Sequence, residues 1–166
     1  MTVNILTNHA VNRGRITVFG GAQYRPNLHI QDMTDLYLKL LALPRNKIAD
    51  KIFNAGYQNQ TVLDIAHIVK SSVEAQGLAK GEIGVEITPS DDIRSYRITC
   101  DKIENEIGFR PRYTIENAVN ELCAAFKAGK VPNPLDDANY IRAPRRIPYF
   151  SGSSTFEVDS ERYVQA

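Results

Sequence analysis

Only two cysteines occur in the sequence, Cys100 and Cys123, each within a helix-like stretch. A zinc knuckle or a dithiol redox motif needs its sulfurs a few residues apart, and these are widely separated. Reduced, partly buried thiols of a cytosolic protein are the expectation. Long apolar runs are missing as well: no stretch approaches the roughly 18 residues of a membrane span. No charged segment followed by an apolar run marks the N-terminus for export, so the cytoplasm is the expected location. Nor does charge of one sign dominate. Lys and Arg number 20 against 19 Asp and Glu, a net charge of +1, which gives no reason to expect nucleic acid or a membrane surface as partner.

The motifs of self-contained catalysis are absent too. A dinucleotide site needs glycines directly after a strand and at the start of a helix, where backbone N–H groups meet the pyrophosphate. The spaced glycines Gly77, Gly81 and Gly84 follow a helical stretch and precede a strand-like one, which reads as a surface loop. His9, His29 and His67 are scattered, without metal-ligand spacing. Ser151-Gly152-Ser153 lacks the strand-to-helix setting of a nucleophile elbow. None of the eight tyrosines is followed four residues later by lysine. Neither catalytic nor metal-binding residues are expected in this chain.

What is present is an ordinary globular composition, 43% hydrophobic and 23% charged, in a pattern of short strands alternating with helices. Val3, Ile5, Leu6, Ala10 and Val11 fall at helical spacing before Gly14. Ile16–Phe19 reads as a strand ended by Gly20-Gly21, and Leu28-His29-Ile30 as a second. Asp32 suits an N-cap for a helix carrying Met33, Leu36, Tyr37, Leu40 and Leu41, terminated by Pro44. Lys51–Asn54 is a further strand candidate. Thr61 and Asp64 form a capping-box-like start to a helix running through Val73. Val85–Thr88 predicts a strand, Tyr96–Ile98 an extended piece, and Lys102–Ile107 a brief helix stopped by Gly108. A last helix runs from Thr114 to Gly129. Beyond it Pro132, Pro134, Pro144 and Pro148 among polar residues predict an extended tail over residues 130–166. The strands are too few and too short for a complete doubly wound sheet, so the expected fold class is part of an α/β protein.

Two arginine-bearing segments remain. In Gly20-Gly21-Ala22-Gln23-Tyr24-Arg25-Pro26, glycines permit close approach of a ligand and Pro26 stiffens the exit, so Arg25 projects from a restrained loop suited to bidentate phosphate recognition. In Asp91-Asp92-Ile93-Arg94-Ser95-Tyr96-Arg97, either arginine can be the partner cation, held by the neighbouring aspartates. The plainer alternative for each arginine is an exposed side chain in a minor salt bridge.

The run Ile16-Thr17-Val18-Phe19-Gly20-Gly21-x-Gln23-x-Arg25-Pro26-x-x-His29-Ile30-x-Asp32 resembles a stretch of the extended short-chain dehydrogenase/reductases. UDP-glucose 4-epimerases, nucleotide-sugar 4,6-dehydratases and UDP-glucuronate decarboxylases are members of that group. The segments that follow are similar in order: Phe53-Asn54-Ala55-Gly56, Thr61-Val62-x-x-Ile65-Ala66, Asp92-x-Arg94-Ser95-Tyr96-Arg97, Ile107-Gly108-Phe109-x-Pro111 and Thr114-Ile115-Glu116. The resemblance covers residues 3–128.

The resemblance implies the carboxy-terminal, substrate-binding portion of a Rossmann-type, NAD-dependent nucleotide-sugar epimerase or dehydratase. Residues 1–129 would be the substrate-binding lobe and residues 130–166 the tail. Family members are about twice as long, and their amino-terminal Rossmann domain carries the NAD loop and a Tyr-x-x-x-Lys pair. No bound NAD and no activity are therefore expected without such a domain, and a homodimer of the full-length form stays open. The ligand implied is a nucleotide-diphosphate sugar. Arg25 matches the arginine that contacts its diphosphate, Arg94 matches the second one, and Arg97 stands close enough to compete for that role. Gln23 belongs to the same loop motif. Asn4, Val18 and Phe19 fall where relatives line the nucleobase pocket. Tyr24 and Pro26 depart from the usual neighbours, so sugar and base preference do not carry over. A non-enzymatic binding or assembly module is the alternative.

Overall fold

A computed structural model describes residues 2–79, 81–92 and 94–136. The amino-terminal helix α1 (Thr2–Arg13) ends where Gly14 turns into the left-handed region at φ 66°, a conformation that suits a residue without Cβ. Strand β1 (Arg15–Phe19) follows and pairs in parallel with β4 (Gly84–Thr88), Ile16 opposite Val85 and Val18 opposite Ile87. Between them the chain forms β2 (Tyr24–Asn27), α2 (Ile30–Ala42), the single turn α3 (Arg45–Ile48), β3 (Gln58–Thr61) and α4 (Val62–Ala75). Strands β2 and β3 make a separate antiparallel pair with Arg25 opposite Gln60. Helices α5 (Asp101–Ile107) and α6 (Ile115–Lys127) complete the described fold.

One core forms where α1, α4 and α6 pack together over the buried side chains of β1. Leu6 and Ala10, Ile65, Val69 and Val73, and Val119 and Cys123 meet Ile16 and Val18 there. Each buried Leu, Ile or Val side chain among them contributes about 1.5–3 kcal/mol relative to exposure. A smaller cluster under α2 and α5 joins Leu36, Ile103, Ile107 and Phe109. Thr61 caps α4 and Thr114 caps α6, each in a reciprocal capping box, with Asp64 and Asn117 respectively.

Several expectations are corrected. Leu28-His29-Ile30 is not a strand: pairing occurs one step earlier, at Tyr24–Asn27, and Ile30 already opens α2. Asp32 does not cap α2. His29 does, its Nδ1 accepting from Gln31 N at 3.1 Å. The Asp32 carboxylate is buried and instead accepts from the backbone N–H groups of Arg112 (2.9 Å) and Tyr113 (3.0 Å), tying α2 to the turn before α6. Lys51–Asn54 is not a strand, since Phe53 packs into the second cluster with no ladder partner; the strand lies at Gln58–Thr61. Cys100 is not within a helix but at the N-cap position of α5. Residues 130–136 form turns that return to α1, where Asn8 Nδ2 donates to Pro134 O at 2.7 Å. The remainder of the expected tail, 137–166, lies outside the described residues, as does Ser151-Gly152-Ser153.

Candidate functional site

The loop after β1 is built by its own side chain. Gly20 and Gly21 both take positive φ, 76° and 107°. Gln23 closes over them, donating from Nε2 to Phe19 O (2.7 Å) and accepting at Oε1 from Gly21 N (2.6 Å). A Cβ on Gly20 would come within 3.0 Å of that amide. Gly20 N also donates to Thr88 O, and Leu63 N to Gly21 O, so the loop is fastened to β4 and to the start of α4. The Gln23 amide is thereby committed to backbone partners within its loop.

This fastening delivers β2 against the segment 94–97. Tyr24 N donates to Ser95 Oγ at 2.9 Å, and Tyr96 N to Tyr24 O at 3.4 Å. The Arg25 side chain, 19% exposed, donates from Nη1 to the carbonyls of Tyr24 and Arg94 and from Nη2 to Asp92 Oδ2 at 3.4 Å. Arg94 grips the same carboxylate with a fork: Nε to Oδ1 at 2.7 Å and Nη2 to Oδ2 at 2.9 Å. Its side chain is 64% exposed. The Arg94 hydrogen bonds, followed by the charges of Arg94 and Arg25, hold the Asp92 carboxyl down to about 2 against a smaller upward push from burial; Asp92 in turn raises Arg94. Arg97 is exposed and lies over the Tyr24 ring at 3.6 Å, while Arg25 lies 5.3 Å from the centroid of Tyr96.

Three of the sequence candidates, Arg25, Arg94 and Arg97, are thus brought into one cluster with Asp92. The others are dispersed. Val18 is fully buried in the main core, and Phe19 is exposed at the end of β1. Asn4 is exposed on α1 and borders a separate open groove of about 590 Å³, shared with His29, Gln58, Tyr113 and Glu121 and not walled by the arginines. Sequence reasoning missed Tyr24 and Tyr96 as partners of the cations. The signal was there, a Tyr-Arg dipeptide in each segment, but the crosswise pairing depends on the two segments meeting.

The amino terminus of α4 is not suited to a pyrophosphate. Helix α4 does follow a strand, but Thr61 Oγ1 and the Asp64 carboxylate already occupy its amino-terminal N–H groups, and a carboxylate repels a pyrophosphate. Cβ atoms added at Gly77, Gly81 and Gly84 would meet nothing within 4 Å, so no close backbone approach explains those glycines. Among the described residues no His, Cys, Asp and Glu cluster could hold a metal, and no helix is long and apolar enough to cross a membrane.

The sequence matches no family model and no curated protein. Solved structures do resemble it. UDP-glucose 4-epimerase of Thermotoga maritima, solved with UDP-glucose, superposes with a TM-score of 0.62 at 19% identity, over 78% of this chain and 40% of that one. TunA, an NAD-dependent NDP-hexosamine 5,6-dehydratase of tunicamycin biosynthesis, gives 0.57 at 22% identity over 77% and 40%. L-threonine dehydrogenase of Phytophthora infestans gives 0.59 at 14% identity over 75% and 40%. The likeness is one of fold. The chain has an α/β fold like part of these structures and spans about two fifths of their length. One of these proteins is named for an amino acid and two for nucleotide sugars, so the substrate must be argued from the side chains.

Proposed function

We propose that the chain is the substrate-binding portion of an NAD-dependent nucleotide-sugar epimerase or dehydratase, with residues 1–129 as its lobe, and that Arg25 and Arg94 grip the sugar nucleotide's diphosphate. The observation that carries this reading is the convergence of both guanidiniums on a single carboxylate, Asp92. Arg94 holds that carboxylate with a planar fork and Arg25 through one contact, so two guanidiniums lie beside a single anionic position. Arg97, stacked on Tyr24, adds positive charge to the same face. NAD would supply redox chemistry in an intact enzyme, at a site formed by residues other than those described. The lobe's contribution is to hold the sugar in place, which lowers the entropic cost of reaction.

A binding module without chemistry of its own is the second reading, favoured by the closed amino terminus of α4. Calorimetric titration of the 166-residue chain with a panel of nucleotide sugars, nucleoside diphosphates and nucleoside monophosphates tests the clamp. Diphosphates are expected to bind at least tenfold tighter than monophosphates of the same base. Equal affinities would remove the diphosphate clamp. NAD retained on purification, or turnover of any nucleotide sugar by this chain, would overturn the assignment of the chemistry to other residues.

A further inference from the structure

We infer that Asp92 is a positioning residue of this anion site, which orients Arg94 and Arg25 toward a phosphate-bearing ligand instead of merely neutralising them. The inference rests on the diphosphate reading above. A guanidinium has two bidentate edges, one formed by Nε with one terminal nitrogen, the other by the two terminal nitrogens. Asp92 takes the first edge of Arg94 through Nε and Nη2. That leaves the Nη1/Nη2 edge directed away from the carboxylate, on a side chain that is largely exposed. Among the described residues Arg94 Nη1 has no hydrogen-bond partner.

The carboxylate is itself held from several sides. Its Oδ1 accepts from Arg94 N at 3.2 Å, its backbone N–H donates to Ser90 Oγ at 3.2 Å, and Arg25 reaches Oδ2 while binding the Arg94 carbonyl. Arg25 thus grips Arg94 twice, through its backbone and through Asp92. A flexible arginine loses rotamer entropy when it binds a ligand, and a carboxylate that holds it beforehand removes part of that cost. The depressed Asp92 carboxyl keeps this arrangement ionised at any physiological pH.

A counter-ion that competes with phosphate and a carboxylate that aims the arginines predict opposite results on removal of the charge. Inorganic pyrophosphate is the probe, titrated into the 166-residue chain and into Asp92→Asn, Asp92→Glu and Asp91→Asn. Asp91→Asn removes the same charge from the exposed neighbour and controls for net charge. If Asp92 positions the arginines, Asp92→Asn weakens pyrophosphate binding by roughly tenfold, the loss of about one charge-assisted hydrogen bond. Asp91→Asn then binds as well as the parent or better, and Asp92→Glu recovers part of the loss. Binding to Asp92→Asn that equals or exceeds binding to Asp91→Asn overturns the inference. The arginine Nε–H resonances give a reading independent of ligand: the Arg94 signal is expected to be shifted and slow to exchange in the parent and in Asp91→Asn, and to collapse in Asp92→Asn. An unchanged Arg94 signal in Asp92→Asn also overturns it. A parent that binds no pyrophosphate yet shows the protected signal overturns the diphosphate reading instead.

Discussion

Arg97 lies over the ring of Tyr24 at 3.6 Å, while Arg25, next in sequence to Tyr24, reaches across to Tyr96, the neighbour of Arg97. Two Tyr-Arg pairs have exchanged partners, which locks β2 to the segment that carries the second arginine.

That lock separates the roles of the three arginines. Arg25→Ala is expected to weaken nucleoside-diphosphate binding ten- to a hundredfold, since Arg25 is mostly buried and holds both Asp92 and the Arg94 backbone. Arg94→Ala, on an open surface, should cost less, about three- to tenfold. Lysine at either position should rescue only partly, because a point charge lacks the planar fork. Arg112→Ala should do little, its side chain being paired with Asp35. Calorimetry reads these variants together with Arg97→Ala, and a larger loss for Arg97→Ala than for Arg25→Ala would reassign the clamp.

The buried carboxylate of Asp32 makes a stability prediction. It accepts two backbone hydrogen bonds from Arg112 and Tyr113, and removing it leaves two part-buried N–H groups without their acceptor. Asp32→Ala is expected to destabilise the fold by about 2–4 kcal/mol in urea unfolding. A change under about 0.5 kcal/mol, the range of ordinary surface substitutions, would show that the tie between α2 and the turn before α6 is unimportant.

The two thiols should react in a fixed order. Cys123 is fully buried in α6, and that burial pushes its thiol up, against a smaller opposing pull from Lys127. Cys100 is half-buried beside an open groove, with Sγ within 3.0 Å of both Gly56 N and Gly56 O. A maleimide under native conditions should label Cys100 first and Cys123 only on unfolding, as read by peptide mass mapping. Equal labelling rates would contradict the packing of α6.

His9 sets an acid limit. Burial lowers its pKa, and the charges of Arg13 and Arg15 lower it further. A group whose folded pKa is depressed contributes stability above its unfolded value, about 6.5 for imidazole, and that contribution is lost as pH falls through the folded value. The urea midpoint of the parent should therefore drop as pH falls from about 7 to about 5, the range in which imidazole ordinarily titrates. His9→Gln should flatten that part of the profile. An identical slope in both proteins would assign the acid sensitivity to other groups.

Apolar surface predicts self-association. Leu41 and Ile52 are more than four fifths exposed, and Ile30, Leu38, Phe19 and Ile87 are well over half exposed. The two-stranded parallel sheet ends at Phe19 and Thr88, with Ile87 uncovered among the described residues. Sedimentation should show concentration-dependent association and dye binding under native conditions. A sharp monomer boundary with no dye binding would count against it.

Helices α1, α2, α4, α5 and α6 were legible because their signals are local, whereas the single turn α3 was not foreseen. Thr61 with Asp64, Gly108 after Ile107, and the 3.6-residue spacing from Val3 to Val11 all act within a turn or two. The strands were harder. Tyr24–Asn27 and Gln58–Thr61 are polar, half-buried pieces whose only reason to be strands is each other. Asp32 misled for the same reason: as a carboxylate near a helix start it has the chemistry of a cap, and only the distant arrival of Tyr113 N gives it another task. The convergence of Arg25 and Arg94 on Asp92 was only partly foreseeable, since it joins two segments far apart in sequence. That Val18 is buried in the core follows from which face of β1 the helices cover.

The parallel pairing of β1 with β4 also bears on how the chain folds in time. Ile16 and Val85 are about 70 residues apart in sequence, so the ladder must wait for a long loop to close while the helices form from neighbours. The β1–β4 ladder is therefore expected to be among the last contacts formed. Val18→Ala should accelerate unfolding several-fold in stopped-flow measurements and leave the folding rate nearly unchanged, whereas substitutions within α4 should slow folding. Newly made chain would then spend its slowest step with the Gly20-Gly21 turn unfastened from β4, and the arginine cluster would assemble only after that step.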